Sequence, residues 1–241
     1  MIPAYLTIDD VPTMWNGKIV DYLFAKQIKA TMFCWGEFLE KNFEGAVYAL
    51  QHGMILQNHS YSHPHFSEIT FEQACAEIEK NEELIKKAYS LANIERPFKM
   101  FRFPYGDQGG ENAEKIQNYL RQNGFVTLAN SHISPKSYAR CGIGAEQLKK
   151  VDTMWTFDFQ EYCIRPENDF TIENSLANVQ FAFGDAVKTV PDVCRAPEGT
   201  EAEEIIIIHD HVETEENAAG YFKRLIDELL KRDILFVSPA V

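Results

Sequence analysis

The sequence predicts an α/β protein in which a mostly parallel β-sheet is closed, or nearly closed, into a barrel. Short apolar runs alternate with longer amphipathic stretches along the chain, which is typical of repeated strand and helix units. Six such units suit a barrel better than an open sheet, and an open doubly wound sheet is the alternative. No linker rich in Pro, Gly or Ser divides the chain, so residues 1–241 are expected to form one domain.

The strands are predicted from the short apolar runs, of which Ile205-Ile-Ile-Ile208 is the clearest. In chain order they cover residues 4–8, 30–34, 54–57, 99–103, 125–129, 153–157, 205–208 and 235–237.

The helices are predicted from amphipathic stretches and from residues that start or stop a helix. Thr70-Phe-Glu-Gln73 has the pattern of a capping box, and Gly53 and Gly124 follow helices where a left-handed C-terminal residue is needed. The expected helices cover residues 16–29, 38–51, 70–91, 113–122, 172–187 and 216–231.

Composition excludes several classes of function. The formal net charge is −13, from 23 Lys and Arg against 36 Asp and Glu, and it disfavours binding to nucleic acid or to an anionic membrane. The five cysteines are an odd number spread along the chain, and they are expected to be reduced and buried. The N-terminal residues lack the basic segment and apolar core of a secretory signal, so we expect a cytoplasmic location.

Unusual polar residues follow five of the predicted strands. In α/β folds with parallel strands, functional groups collect at the carboxyl ends of the strands. An adjacent Asp pair before Pro12 is also an ordinary turn signal, and a lone Arg is commonly a surface residue. The five groups are Asp9 and Asp10; His59 and His63; Arg102 and Tyr105; Asp158 and Glu161; and His209, Asp210 and His211.

Together these groups predict a metal site. A catalytic zinc ion takes three protein ligands and keeps one position open, and Asp10, His59 and His63 supply that number. Asp9 and His209 remain as groups able to accept and donate a proton. An aspartyl-phosphate phosphatase is disfavoured because its two catalytic Asp residues alternate with another residue, whereas Asp9 and Asp10 are adjacent.

Five ordered segments resemble the motifs of the polysaccharide deacetylases, the NodB-homology group of carbohydrate esterase family four. The resemblance extends from Tyr5 to Val237 and implies a distorted (β/α)7-type barrel, a zinc-type metal site and hydrolysis of an N-acetyl group. The segments are Thr7-Ile-Asp-Asp10, His59-Ser-Tyr-Ser-His63, Arg102-Phe-Pro-Tyr105, Asp158-Phe-Gln-Glu-Tyr162 and Ile207-Ile-His209.

The resemblance also implies a role for each residue. Asp9 is the general base, and Asp10, His59 and His63 bind the metal. Arg102 orients Asp9. The backbone N–H of Tyr105 helps to hold the oxyanion, and His209 protonates the departing amine.

The chain departs from the family pattern at two places. Val11 stands where the family usually has Gly, and Glu161-Tyr162 stands where it usually has Asp-Trp. Glu161 is therefore the expected partner of His209, and Asp158 could share that task. A negative neighbour is expected to raise the pKa of His209.

The predicted function is metal-dependent hydrolysis of an amide C–N bond, with an N-acetylated amino sugar or its oligomer as substrate. One alternative is a cytoplasmic hydrolase of small amides, of the allantoinase or cyclic-imidase type. A second is a non-catalytic relative that binds metal or sugar. The presence of both Asp9 and His209 argues against the second alternative.

Overall fold

A parallel β-sheet forms the centre of the protein. The computed structural model describes residues 1–185, 187–194 and 196–241. The strands are β1 (Ile2–Val11), β2 (Ala30–Cys34), β3 (Ile55–Asn58), β4 (Phe157–Asp158), β5 (Glu204–His209) and β6 (Ile234–Phe236). They pair in parallel in the order β3-β2-β1-β5-β4, and β6 also pairs with β1. The carboxyl ends of β1, β3 and β5 therefore lie at one rim of the sheet.

Irregular segments close this sheet into a barrel. Beyond β3, Phe101 forms a parallel bridge with Asn58. The N–H of Thr153 then donates to the carbonyl of Phe101 at 2.9 Å, and the N–H of Thr156 donates to the carbonyl of Ile205 in β5 at 2.8 Å. The two edges of the sheet are thus joined by backbone hydrogen bonds. This closure confirms the predicted distorted barrel and excludes the alternative of an open doubly wound sheet.

Three of the predicted strands are wrong or too long. The segments 99–103 and 125–129 form only isolated bridges, and the predicted strand 153–157 is reduced to β4. Phe101, Phe103 and Phe125 are buried in a cluster with Phe66. The apolar pattern of these segments therefore predicted their burial correctly, but a buried segment need not pair as a continuous strand.

Helices cover the outside of the barrel. They are α1 (Asn16–Ala25), α2 (Gly36–Lys41), α3 (Phe43–Gln51), α4 (Phe71–Ala92), α5 (Ala113–Gln122), α6 (Pro135–Ala139), α7 (Ile172–Phe183), α8 (Val212–Asn217) and α9 (Tyr221–Lys231). The prediction for α5 is confirmed. The capping box at Thr70 is also confirmed, and Gly53 and Gly124 have φ values of 85° and 76°.

Other helix predictions need correction. The expected helix 38–51 is two helices, because Asn42 leaves helical geometry and its side chain accepts a hydrogen bond from the N–H of Gly45. The expected helix 216–231 is divided at Gly220, where φ is 73°. The helix expected over 172–187 ends at Phe183, and Ala186 lies outside the described residues. Helix α6 was not predicted.

The core lies on both faces of β1. Leu6 belongs to an apolar cluster with Leu23 of α1 and Leu225 of α9, while Tyr5 belongs to a second cluster with Phe33. All five cysteines are free, as expected, although only Cys34 and Cys194 are buried and the other three are half-buried. In residues 1–185, 187–194 and 196–241, no helix is long and apolar enough to cross a membrane.

Candidate active site

The parallel pairing of β1 with β5 brings two of the predicted groups side by side. Asp9 is in register with His209, and both lie at the carboxyl ends of their strands. Asp9 is buried, and the N–H of Asp210 donates to its carbonyl at 2.9 Å. Asp9 and His209 therefore belong to the same site.

A backbone irregularity lets both members of the Asp pair face this site. Adjacent side chains on a regular strand point to opposite faces. Here the pairing of β1 shifts register between Ile8 and Val11, and Asp10 has a φ of 62°. As a result, Oδ2 of Asp9 lies 3.5 Å and Oδ1 of Asp10 lies 3.6 Å from the same atom, Nε2 of His59.

The two histidines are carried by a tightly turned loop after β3. Ser60 and His63 have φ values of 65° and 60°. The side chain of Asn58 accepts a hydrogen bond from the N–H of Ser60 at 2.8 Å, and the hydroxyl of Ser60 accepts one from the N–H of His63 at 3.2 Å. Side chains within the loop thus stabilise a conformation that these residues rarely adopt.

Helix α4 holds the same loop from outside. Nδ2 of Asn81 lies 2.7 Å from the carbonyl oxygen of Cys34 and 2.8 Å from that of Ser60. The carboxylate of Glu77 accepts hydrogen bonds from the N–H groups of Tyr61 and Ser62. Neither residue belongs to a motif recognised in the sequence. The available signal was a polar residue, Asn81, in the buried stripe of an amphipathic helix.

Asp10, His59 and His63 fit a metal ion. Each offers one ligand atom, and these atoms lie within 4.8 Å of one another. Oδ1 of Asp10 is buried and has no hydrogen-bond partner, although Nε2 of His63 lies 3.3 Å away. A buried oxygen in this state is a position that a bound cation or a water molecule can satisfy. Two nitrogens and one oxygen are a donor set that zinc accepts.

The protonation of His59 suits this role. Burial lowers its pKa to about 4, so the ring is neutral near pH 7. Its Nδ1 lies 2.8 Å from the carbonyl oxygen of Arg102, which can only accept, so Nδ1 carries the proton and Nε2 keeps its lone pair. Burial opposes the charge of Asp10, but the neighbouring imidazoles of His63 and His59 outweigh it and hold the pKa of that carboxyl well below its usual range.

Arg102 fixes the other carboxylate. Its side chain is buried, and Nη1 donates to Oδ1 of Asp9 at 2.7 Å and to the hydroxyl of Thr7 at 2.9 Å. Nε donates to the carbonyl of Thr153 at 2.9 Å, and the guanidinium lies over the ring of Phe33 at 4.3 Å. These contacts leave Arg102 one position, and it orients Asp9 from that position.

Tyr105 covers the outer side of the metal-ligand cluster. Its φ is 59°, within a short turn at Pro104–Gly106. The ring of His63 lies between Trp35, stacked at 4.6 Å, and the edge of Tyr105, also at 4.6 Å. Tyr105 itself is 63% exposed and stacks on His65. The Tyr105 side chain therefore lies beside His63, at the exposed side of the cluster.

Glu161 is the partner of His209. The buried carboxylate accepts hydrogen bonds from Nδ1 of His209 at 2.8 Å and from its backbone N–H at 2.6 Å. Burial alone would lower the pKa of His209, but Glu161 raises it to about 10. The predicted increase in the pKa of His209 is confirmed.

Asp158 makes different contacts. Its carboxylate accepts hydrogen bonds from the N–H of Gln160 at 2.8 Å and from the hydroxyl of Tyr162 at 3.3 Å. Burial, with the charge of Glu161, raises the pKa of Asp158 to about 6. Of the two acidic candidates, Glu161 is therefore the one hydrogen-bonded to His209.

One buried residue at the site had no role in the sequence analysis. Asp210 follows His209, and its carboxylate accepts hydrogen bonds from the N–H of Thr13 at 2.8 Å and from the hydroxyl of Thr13 at 2.6 Å. Burial raises the pKa of Asp210 to about 7. Its only sequence signal was its position directly after a histidine at a strand end.

The arrangement has the parts of a hydrolytic site. A cluster able to bind a cation lies beside a fixed carboxylate, Asp9, which is in register with an imidazole, His209, that is paired with an acid. Such a pair can supply a general base and a general acid to opposite sides of a bond.

Comparisons with known proteins agree with this chemistry. The polysaccharide deacetylase family model matches residues 2–128. The peptidoglycan-N-acetylglucosamine deacetylase of Bacillus cereus is 35% identical over 104 residues, which are 42% of this chain and 36% of that relative. The chain thus aligns with little more than a third of this curated relative's length.

Two solved structures share the fold. The crystal structure of the Bc1960 peptidoglycan N-acetylglucosamine deacetylase superposes with a TM-score of 0.65 at 20% identity, over 98% of this chain and 85% of that one. The family 4 carbohydrate esterase from Streptomyces lividans, in complex with acetate, gives 0.63 at 18% identity, over 99% and 96%.

Proposed function

Because this chain belongs to the polysaccharide deacetylase family, we propose that it is a metal-dependent deacetylase, a hydrolase of amide C–N bonds other than peptide bonds. Its proposed substrate is an N-acetylated amino sugar, free or within an oligosaccharide or polysaccharide. The Bacillus cereus relative is a peptidoglycan-N-acetylglucosamine deacetylase, which supports this substrate class.

One observation carries the proposal: the two adjacent carboxylates have different partners. Asp9 is bound by Arg102, whereas Asp10 turns an unpartnered oxygen toward two histidines. This division suits a pair in which one carboxylate handles protons and the other binds metal. A turn with only a structural role would not require the two carboxylates to have different partners.

Asp10, His59 and His63 would hold the ion, and we propose zinc. When bound, a divalent cation supplies positive charge that polarises the acetamide carbonyl and acidifies a water molecule. Asp9 then accepts the proton of the attacking water, and the hydrogen bond from Arg102 keeps its carboxylate oriented. The carbonyl carbon becomes tetrahedral, and its oxygen becomes an oxyanion.

Two other groups complete the reaction. The backbone N–H of Tyr105 donates to the oxyanion, and one such donor is typically worth about 3 to 4 kcal/mol. His209 gives its proton to the nitrogen of the departing amine as the C–N bond breaks. Glu161 keeps the imidazole charged and holds its Nδ1, so that Nε2 carries the transferable proton.

The test is a substrate panel with two separate assays. Protein loaded with Zn²⁺ is incubated with N-acetylated sugars of increasing length and with cyclic ureides, and released acetate and the ring-opened ureide acid are measured. We expect acetate from the acetylated sugars. Ring opening of the ureides without acetate release would instead support the small-amide hydrolase, and tight Zn²⁺ binding with neither product would support the non-catalytic relative.

A further inference from the structure

We propose that Asp210 is a positioning residue that clamps the backbone irregularity between Asp9 and Thr13. The clamp allows two consecutive aspartates to enter one site. This inference rests on the proposed function only where turnover is the readout, since the geometry of the ion site can be measured without it.

The contacts of Asp210 enclose the irregular segment at both ends. Its N–H donates to the carbonyl of Asp9, before the left-handed residue Asp10. Its carboxylate accepts hydrogen bonds from both the N–H and the hydroxyl of Thr13, which lies after Asp10. One residue directly after β5 therefore fixes the start and the end of the turn.

The turn needs such a clamp for a physical reason. A regular continuation of β1 would send Asp9 and Asp10 to opposite faces of the sheet. The left-handed conformation of Asp10 is disfavoured for a residue with a side chain, and it persists only where its surroundings hold it. The hydroxyl of Thr13 also accepts from the N–H of Trp15, so the clamp extends to the start of α1.

The carboxylate is specifically suited to the contact. Thr13 presents two donors, and a carboxylate can accept from both at once. An Asn at position 210 would have the same size but would turn an amide N–H₂ toward one of these donors. Asp210→Asn therefore weakens the side-chain part of the clamp, while the backbone contact with Asp9 and the volume of the buried side chain are unchanged.

The experiment compares Asp210→Asn and Thr13→Val with a matched control on the same strand. Glu204 is buried at the opposite end of β5, and its carboxylate accepts hydrogen bonds from Ser137 and Arg140. Glu204→Gln removes a comparable buried charge away from the site. Each protein is titrated with Co²⁺, and the visible absorption spectrum, the apparent Co²⁺ affinity, kcat, KM and the melting temperature are recorded.

We expect Asp210→Asn to lose about tenfold or more in Co²⁺ affinity and in kcat, with KM little changed and an altered Co²⁺ spectrum. Thr13→Val should show a smaller loss of the same kind, and Thr13→Ser, which keeps the hydroxyl, should restore parental values. Adding Thr13→Val to Asp210→Asn should cost little more, because both changes break one contact. Glu204→Gln should lower only the melting temperature.

The proposal is overturned if Asp210→Asn and Thr13→Val keep the parental spectrum, affinity and kcat. It is also overturned if Glu204→Gln, at a matched loss of melting temperature, shows the same losses. Should Asp210→Asn fail to fold, Thr13→Val and its Thr13→Ser counterpart decide the question. Absence of acetate release by the parent would contradict the proposed function, and the Co²⁺ spectra would still test the clamp.

Discussion

At the scale of single residues, Asp9 and Asp10 differ in environment more than in chemistry. Both are buried, but only Asp9 has a guanidinium hydrogen-bonded to it, at 2.7 Å. Both carboxylates lie near Nε2 of His59, but Asp10 also lies 3.3 Å from Nε2 of His63. Neighbours of this kind can separate the tasks of two like carboxylates, and we propose that Asp9 serves as the base and Asp10 as a metal ligand.

The first prediction separates those tasks. Asp9→Asn keeps the size of the side chain and the hydrogen bond from Arg102 but cannot accept a proton from water. We expect turnover to fall about 100-fold or more, the usual scale for loss of a positioned base, with metal content unchanged. Acetate release and elemental analysis of the same sample measure both effects. Loss of metal together with activity would mean that Asp9 is also a ligand.

The second prediction concerns the dependence of the rate on pH. A general acid works only while protonated, so turnover should be present below the pKa of His209 and should be lost as the pH rises through it. Glu161 raises that pKa to about 10. Glu161→Gln removes the negative charge, and we expect the alkaline limb of kcat against pH to move about one unit or more toward lower pH.

Asp158→Asn is the control for this profile, because the hydrogen bonds of Asp158 go to Gln160 and Tyr162. Its alkaline limb should move less than that of Glu161→Gln. If only Asp158→Asn moves the limb, Asp158 is the tuning group. If neither variant moves it, His209 is not the acid.

At the scale of elements, helix α4 connects the core to the metal-ligand loop. The side chain of Asn81 reaches carbonyl oxygens at the end of β2 and in the loop that carries His59 and His63. Because these carbonyls are buried near Asn81, they have little access to water as a substitute. The helix therefore contributes both to stability and to the shape of the site.

The third prediction follows from that contact. Asn81→Ala should lower the free energy of unfolding by about 1–3 kcal/mol, the cost of leaving a buried polar group unsatisfied, and should weaken metal binding. Urea denaturation of the metal-free protein and a Zn²⁺ titration measure the two effects. Lys86→Ala, an exposed change on the same helix, should stay within about 0.5 kcal/mol of the parent. Equal stability of the two variants would show that Asn81 does not hold the loop.

Elements with local signals were the ones that the sequence predicted well. Helix α4 begins at its capping box, and α5 has the predicted bounds. The break at Asn42 was missed, because the apolar periodicity of residues 38–51 continues through Asn42, which ends α2 and caps α3. The segments 99–103 and 125–129 were predicted as strands because they are apolar, but strand pairing depends on partners far along the chain.

At the scale of the whole molecule, the site exists because the barrel closes. The groups brought together come from strand ends separated by up to 200 residues, such as Asp9 and His209. Their residue types could be selected from sequence, since rare polar groups after buried strands stand out. The supporting contacts of Asn81, Glu77, Asp210 and Thr13 could not, because they depend on the path of loops after closure.

The last prediction concerns the stability of the whole fold. An ion that binds only the folded protein stabilises it by an amount set by its concentration relative to Kd, about 2.7 kcal/mol at a hundredfold excess over Kd. For a protein of this size that corresponds to a rise of about 5–10 °C in the melting temperature. We therefore expect Zn²⁺ to raise the melting temperature of chelator-treated protein by this amount, with one ion per chain by elemental analysis.

The ligand variants decide whether that rise comes from the site. His59→Ala and His63→Ala each remove one of the three ligands, so the rise should largely disappear in both. Asp9→Asn should keep it, because Asp9 is hydrogen-bonded to Arg102 and not assigned to the ion. A full rise in His59→Ala or His63→Ala would place the ion elsewhere on the surface. Loss of the rise in Asp9→Asn would make both aspartates ligands.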